Sequence, residues 1–465
     1  MKKIYLSLLL LCCCTAAAWS QQAKYVFYFI GDGMGLNQVN TTEFYLASIK
    51  GNLGIEPLCF GNFPYTTFAT SYSASSDVTD SAAGGTALAT GVKTKNGIIG
   101  MNADTIAVSS IAQWAKNSGK HVGVCTTVSI DHATPAVFYA HQASRNMYNE
   151  IGHDLAISDY EFFGGSDFLK PIGKDNVDLH KLCEENGYTW AWGYEEGKAK
   201  WKTANKLILT QTKEEAAQKL NQNNIPYAID RNEKSLTLAQ IVETGINVLT
   251  KDKKGFFFMI EGGMIDHACH ADDAATTIKE TIDMDEAVKV AYEFYKKHPK
   301  ETLIVVTADH ETGGMVPGNG RYELNLQALQ YQTCSVDACT EKFKELRESK
   351  RRVRWEEAKE LLSECYGLFT KVPVNWRDEA DLHSIFEDTF SRGARVDNWY
   401  GSNERIATAG MDLLNRIAMV SWASGAHSDG YVPVFAIGAG AEMFHGRLNN
   451  TDIPIITAKA AGYKK

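Results

Sequence analysis

Short apolar runs bounded by glycine and polar residues recur along the chain: Lys24–Ile30 (KYVFYFI), Val122–Thr127, Phe256–Ile260 (FFFMI), Thr302–Val306 and Val432–Ile437. Runs this short and this continuous predict strands buried on both faces, not strands with one wet face. Tyr65–Ser71 predicts a further strand. Between these runs the apolar positions fall at helical spacing. Helices are predicted over Asn37–Lys50, Ala82–Thr90, Ser109–Ser118, Ala136–Ala143, Leu236–Thr250, Ala274–His298 and Arg405–Val420. Strand and helix alternate, so the fold class is α/β: a large, mostly parallel, doubly wound sheet with helices on both faces. Tyr160–Leu220 is mixed and glycine-bearing and predicts no clear order. From about 319 to 401 the pattern changes to charged, largely helical sequence, with a helix predicted over Trp355–Leu362. We read this segment as an insertion in the domain spanning 21–465, a cap or interface element, with the charge run on a solvated face.

Residues 1–20 stand outside this pattern. Lys2 and Lys3 precede the apolar Ile4–Leu11, and Ala18-Trp19-Ser20 ends in small residues. This is the layout of a secretory signal peptide cleaved before Gln21, and it predicts export to the periplasm or beyond. Cys12–Cys14 raise lipid anchoring as an alternative, but Leu11 stands where a lipoprotein signal carries a small residue. No later run is long enough to cross a membrane as a helix. Net charge is −9, and loss of two leader lysines makes it more negative. That argues against nucleic acid as a partner. An acidic protein acting on an anion needs local positive charge, and metal ions supply it. Seven cysteines follow the leader, an odd number. Cys334 and Cys339 are close enough in sequence to bridge a short loop, and none has zinc-site spacing.

The chemistry-bearing side chains gather where apolar runs end. Asp32 lies between glycines after the first run. Asp131, His132, Thr134 and Arg145 follow Val122–Thr127. Glu261, Asp266, His267 and His270 follow Phe256–Ile260, Asp309 and His310 follow Thr302–Val306, and His427 lies in a loop of small residues. Each has an ordinary explanation as a turn acid, a surface arginine or a loop histidine. Their recurrence at the ends where α/β sheets hold ligands favours one shared site. Asp266 and His270 are four apart and share a face if a helix begins there. Asp32, Glu261, Asp266, His270, Asp309, His310 and His427 are too many for one zinc and suffice for two or three ions. In VTDSAAGGTAL, Val78–Leu88, Ser81 stands at a predicted helix N-terminus, where it either caps the helix or attacks a bound anion. No G-x-S-x-G surrounds it. Two divalent ions ~4 Å apart would activate such a hydroxyl and clamp an in-line displacement at phosphorus. Arg145 would hold two phosphoryl oxygens, and Asp80 would orient Arg145 or cap the helix.

Taken together, IGDGMG (Ile30–Gly35), VTDSAAGGTA (Val78–Ala87), HATPA (His132–Ala136), Arg145, EGGMIDHACH (Glu261–His270), TADH (Thr307–His310) and GAHS (Gly425–Ser428) resemble the alkaline phosphatase family, in the family's order and over most of the chain. The resemblance implies hydrolysis of phosphate monoesters, small phosphorylated metabolites among them, through a phosphoserine on Ser81. It implies one zinc on Asp266, His270 and His427 and a second on Asp32, Asp309 and His310. A third site, usually magnesium, would take Asp32, Thr134 and Glu261. Arg145 would be the phosphate clamp, and a homodimer is the family's usual state. His132 and His267 stand near the third site where enteric bacterial members have aspartate and lysine and animal members have histidines. They leave the third metal's identity open. A phosphodiesterase or sulfatase of the same superfamily is the alternative. Arg145 disfavours a diester, which has one fewer charged oxygen, and the residues after Ser81 lack the sulfatase modification pattern. A non-catalytic phosphate-binding protein would have no need of the nucleophile, clamp and ligands together.

Overall fold

The computed structural model describes residues 22–174, 176–218, 224–318, 320, 322–350, 352–390 and 403–465. The leader and part of the 319–401 segment lie outside these. The long runs form a ten-stranded sheet from β1 (Tyr25–Gly31), β2 (Tyr65–Thr70), β3 (His121–Ser129), β4 (Phe162–Ser166), β5 (Tyr188–Trp192), β6 (Lys206–Thr210), β7 (Phe256–Gly262), β8 (Thr302–Thr307), β13 (Val432–Gly438) and β14 (Arg447–Asn449). Its order is β14-β2-β13-β8-β1-β7-β3-β4-β6-β5. Two-residue strands β9 (Glu311–Thr312), β10 (Val316–Pro317), β11 (Val420–Ser421) and β12 (His427–Ser428) pair as β9 with β12 and β10 with β11. Every pair in the large sheet is parallel except those of β13, which runs against both β2 and β8. The connectivity explains this. Residues 311–312 leave the carboxyl end of β8 and pair with 427–428, so the chain is already at that end when β13 begins and can only run back.

The central strands are apolar because both faces are covered. Among the helices, numbered as introduced, α1 (Ser81–Thr90), α2 (Ala133–Ala136), α3 (Leu238–Leu249), α4 (Met264–His270) and α5 (Ala274–Lys297) bear on the site. Phe294 of α5 packs on Phe27 and Phe256 at ring separations of 5.5 and 5.7 Å. On the same face α3 approaches so closely that a Cβ on Gly245 would lie 2.4 Å from the Phe258 ring. On the opposite face the Tyr28 hydroxyl donates to the Leu88 carbonyl of α1 at 3.0 Å, and Phe257 meets Tyr463.

Two regions depart from the sequence reading. The predicted helix over Ala136–Ala143 is a single turn, α2, that ends at Ala136. Turn bonds carry the chain to Ala140, after which the backbone bonds sideways: Gln142 exchanges bonds with Ile99, and the Arg145 N–H donates to the Gly97 carbonyl at 2.7 Å. These bonds consume donors that a helix would need. Tyr160–Leu220 holds β4, β5 and β6 at one edge of the sheet, with short helices between them.

The charged segment is helical as expected: α6 (Val336–Ser349), α7 (Trp355–Tyr366) and α8 (Trp376–Phe390), followed by α9 (Arg405–Ile417). They bury a second apolar cluster, including Phe343, Leu362, Tyr366, Met411 and Leu414, that continues onto Ala274 and Ile278 of α5.

Candidate active site

Ser81 opens α1 and is buried. The N-cap is Asp80, whose Oδ1 accepts from the Ala83 N–H at 2.9 Å. Its other oxygen accepts from the Gly97 N–H at 3.0 Å and from Arg145 Nη1 at 3.1 Å. Asp80 thus caps the helix and aims the arginine at once. Gly84 shows why the turn is built of small residues: a Cβ there would lie 2.8 Å from the Asp309 carbonyl oxygen. Without it, α1 presses against the TADH segment, and Ser81 Oγ comes 3.2 Å from His310 Nε2.

Around that contact the structure gathers the residues expected at the strand ends. His310 Nε2 lies 3.3 Å from Asp32 Oδ1 and 3.4 Å from Asp309 Oδ2. Asp266 and His270 are both on α4, with His270 Nε2 3.2 Å from Asp266 Oδ2. His427, on β12, brings its Nε2 to 3.7 Å from Asp266 Oδ1 and stacks on His310 with ring centres 3.7 Å apart. Among the described residues, three groups have ligand atoms close enough to share an ion: Asp266 with His310 and His427, Asp32 with Asp309 and His310, and Asp32 with His132 and Glu261. Thr134, at the start of α2, donates to Asp32 Oδ2 at 3.2 Å beside the last group.

The hydrogen bonds behind the histidines fix which nitrogen faces the site. His270 Nδ1 donates to the Gly425 carbonyl and His427 Nδ1 to the Thr79 carbonyl, each at 2.9 Å. A carbonyl only accepts, so both Nδ1 atoms carry hydrogen, and each ring turns its Nε2 to the site. Those two Nε2 atoms face each other at 3.2 Å. Two lone pairs at that separation repel unless a cation or a shared proton lies between them. The donor set of imidazole and carboxylate suits zinc.

Electrostatics point the same way. Asp32, Glu261, Asp266 and Asp309 are all buried. Burial, with the neighbouring carboxylates adding to it, pushes Asp32 and Asp309 well above the usual carboxylate range. Burial takes Glu261 up to about 7. For Asp266 burial pushes upward too, but the adjacent His270 outweighs it and holds the carboxyl well below its usual range. Burial pushes His270 down, and Asp266 reverses that to about 9. Among the described residues, Asp32 Oδ1 and both Glu261 oxygens have no hydrogen-bond partner. Buried charges in this state call for a cation.

Arg145 reaches towards the site from the other side, with Nη2 3.4 Å from His132 Nε2. His132 and His267 are neighbours, with ring centres 6.0 Å apart. Burial, aided by Arg145, keeps His132 well below the usual imidazole range. Asp131 turns away and accepts from the Leu169 N–H.

Two residues escaped the sequence reading. Thr312 donates its hydroxyl to Asp266 Oδ1 at 2.5 Å and accepts from His310 Nδ1 at 3.2 Å. Glu311 accepts from Gln38 Nε2 at 2.7 Å, from the Gly314 N–H at 3.0 Å and from the Ser428 hydroxyl. Both follow TADH directly in Glu311-Thr312. That adjacency is the only signal they carry, because their partners come from distant segments.

Comparison with known proteins bears on the family and the fold. A family model described as alkaline phosphatase matches residues 23–161 and 174–463. Alkaline phosphatase 3 of Bacillus subtilis (strain 168) is 30% identical over 451 residues, covering 95% of this chain and 90% of its own. The rat tissue-nonspecific isozyme is 31% identical over 353 residues, covering 65% of this chain and 66% of its own. Among solved structures, a cold-active alkaline phosphatase from a psychrophilic Shewanella sp. superposes with a TM-score of 0.79 at 25% identity, covering 95% of this chain and all of that one. The enzyme of the Antarctic bacterium TAB5 gives 0.67 at 26% identity, covering 96% of this chain and 100% of its own.

Proposed function

The chain belongs to the alkaline phosphatase family and is a phosphatase, and from that premise we propose that it hydrolyses phosphate monoesters through a phosphoserine on Ser81. The observation that carries this reading is the 3.2 Å contact between Ser81 Oγ and His310 Nε2, within the group formed with Asp32 and Asp309. Asp32, Asp309 and His310 would hold one zinc, and Asp266, His270 and His427 another. When bound, such ions supply Lewis acidity, lowering the pKa of a hydroxyl or water and offsetting charge on phosphoryl oxygens.

The chain's own residues do the rest. Ser81 Oγ attacks phosphorus in line with the departing alkoxide, and water later attacks the phosphoserine to release phosphate. The N-terminus of α1 points unpaired N–H groups at the anion. Arg145 binds two non-bridging oxygens through its fork, held in line by Asp80. Those two oxygens favour a monoester over a diester. Asp32, Thr134 and Glu261 offer oxygen donors suited to magnesium at a third site. His132 adds a nitrogen donor there, which favours a transition metal. A TAB5 variant with one histidine replaced by aspartate is described as having magnesium in its M3 site. Exchange of His132 for aspartate is accordingly expected to shift the third site towards magnesium. The leader at residues 1–20 supports export.

The deciding experiment compares p-nitrophenyl phosphate, bis-p-nitrophenyl phosphate and p-nitrophenyl sulfate with and without EDTA. The monoester should be preferred and its hydrolysis lost on chelation. Monoesterase activity that survives thorough chelation would sink the two-metal reading.

A further inference from the structure

Two cysteines close in sequence, Cys334 and Cys339, meet a more distant one, Cys365, in the second apolar cluster. The Cys334 side chain neighbours those of Cys339 and Cys365, which neighbour each other, and all three belong to that one buried cluster. The surrounding backbone is pinned so that this meeting is no accident of side-chain rotation. The Thr333 N–H donates to the Cys365 carbonyl at 2.8 Å, which ties the loop to the end of α7. Gln332 Nε2 donates to the Cys334 carbonyl at 3.0 Å and to the Asp273 carboxylate at 2.8 Å. The Cys339 N–H donates to the Ser335 carbonyl at 2.9 Å in the first turn of α6. All three are thiols here. By contrast, the thiol of buried Cys269 has Gln38 and Thr277 as its hydrogen-bonding neighbours.

We propose that this trio is a disulfide site in which Cys334 is the shared partner of one bond, closed on Cys339 or on Cys365, with the third thiol left free. Cys334 is the member that an oxidant would meet first, since it retains 6% exposure while the other two have none. It is also the best nucleophile of the three: hydrogen bonds from its two neighbours hold its thiol well below the usual range, whereas burial pushes the Cys339 thiol up.

The oxidant is a small-molecule or protein disulfide. The Cys334 thiolate attacks one of its sulfurs and expels a thiol. Cys339 or Cys365 then attacks the Cys334 sulfur of the mixed disulfide and expels the second thiol. Two protein thiols are oxidised, one disulfide is reduced, and the two thiol protons end on the oxidant's sulfurs. Exchange between the two pairings needs no oxidant. The free thiolate attacks the Cys334 sulfur, the former partner leaves as thiolate, and one proton passes from the first to the second.

The test is a disulfide map of the full chain after incubation with oxidised glutathione, with the remaining thiols alkylated under denaturing conditions. We expect one intrachain disulfide per molecule, always containing Cys334, with Cys59, Cys125, Cys183 and Cys269 alkylated. Cys365→Ser should leave only the bond to Cys339, Cys339→Ser only the bond to Cys365, and Cys334→Ser none. The proposal is overturned if all seven cysteines of the unsubstituted chain are alkylated, if a bond joins Cys339 to Cys365, or if Cys334 is held only as a mixed disulfide with glutathione. The map of the unsubstituted chain decides the matter even where a variant fails to fold.

Discussion

The carboxyl end of the sheet and the helical cluster of α6 to α9 treat buried charge in opposite ways. In and beside the helical cluster the acids have named donors. Arg347 pairs with Glu404 at 2.6 Å, Arg416 with Asp378 at 2.9 Å, and Asp273 accepts from the Thr276 N–H, Gln332 Nε2 and the Val336 N–H. At the sheet end, carboxylates crowd one another, Glu261 has no donor on either oxygen among the described residues, and two imidazole Nε2 atoms face each other at 3.2 Å. The acids of the first region have donors supplied by the protein, while those of the second stand where a bound cation would relieve their repulsion. The fold holds the second in place because the central strands beneath it are buried along their whole length.

The largest expected effects separate the two regions. Ser81→Ala should lower kcat by roughly 10⁴-fold or more, as loss of a catalytic nucleophile does elsewhere. The melting temperature should hardly move, and no phosphoenzyme should be trapped on rapid acid quench. A persistent phosphoenzyme would show that another residue is the nucleophile. Phe343→Ala, in the helical cluster, should do the reverse. The side chain is fully buried, so its removal should destabilise the protein by about 3–5 kcal/mol. Turnover per folded molecule should stay within about twofold, since Phe343 lies outside the described site. A large fall in kcat/KM for that variant would show the two regions to be coupled.

The pH dependence of stability sharpens the comparison. Burial raises Glu261 to about 7, above its ordinary value of roughly 4.3. A raised carboxyl favours the protonated form on folding. Its penalty is therefore absent below the unfolded pKa, grows as pH rises, and is complete above about 7. EDTA-treated protein should lose stability across that window, with Glu261 contributing about 3 kcal/mol. Asp32 and Asp309 act with the same sign. Glu261→Gln should flatten the slope in chelated protein. With metal bound, the slope should shrink, because the cation favours the carboxylate. Denaturant melts at stepped pH values measure both. An unchanged slope in the glutamine variant would remove Glu261 from the account.

How much of this was legible in the sequence follows from what each feature depends on. The central strands could be read because burial on both faces leaves an unbroken apolar run. The Asp266–His270 pair could be read because a helix has one period. β4 was obscured by Gly164 and Gly165 in its short FFGGS run, and the direction of β13 follows from where the chain re-enters the sheet, not from its own residues. The false helix after Ala136 arose because the segment's apolar spacing is helical while its backbone, after local turn bonds as far as Ala140, pairs through Gln142 with Ile99. At the site, side chains next to strand ends were visible, but hydrogen bonds between such ends were not.

Thr312 is the clearest case of the latter, and it yields the smallest of the expected effects. Its hydroxyl has one hydrogen, which goes to Asp266, and so it can only accept from His310 Nδ1. That acceptance keeps hydrogen on Nδ1 and leaves the Nε2 lone pair facing Asp32, Asp309 and Ser81. Thr312 is therefore a positioning residue between the two expected ligand sets. Thr312→Val keeps the shape and removes both bonds. Supporting bonds of this kind are worth roughly 10–100-fold in metal affinity, so the variant should release zinc to a competing chelator at correspondingly lower chelator concentration. Thr312→Ser should restore most of the affinity, because it returns the hydroxyl. A merely structural methyl would give the opposite ranking, with valine tolerated and serine impaired.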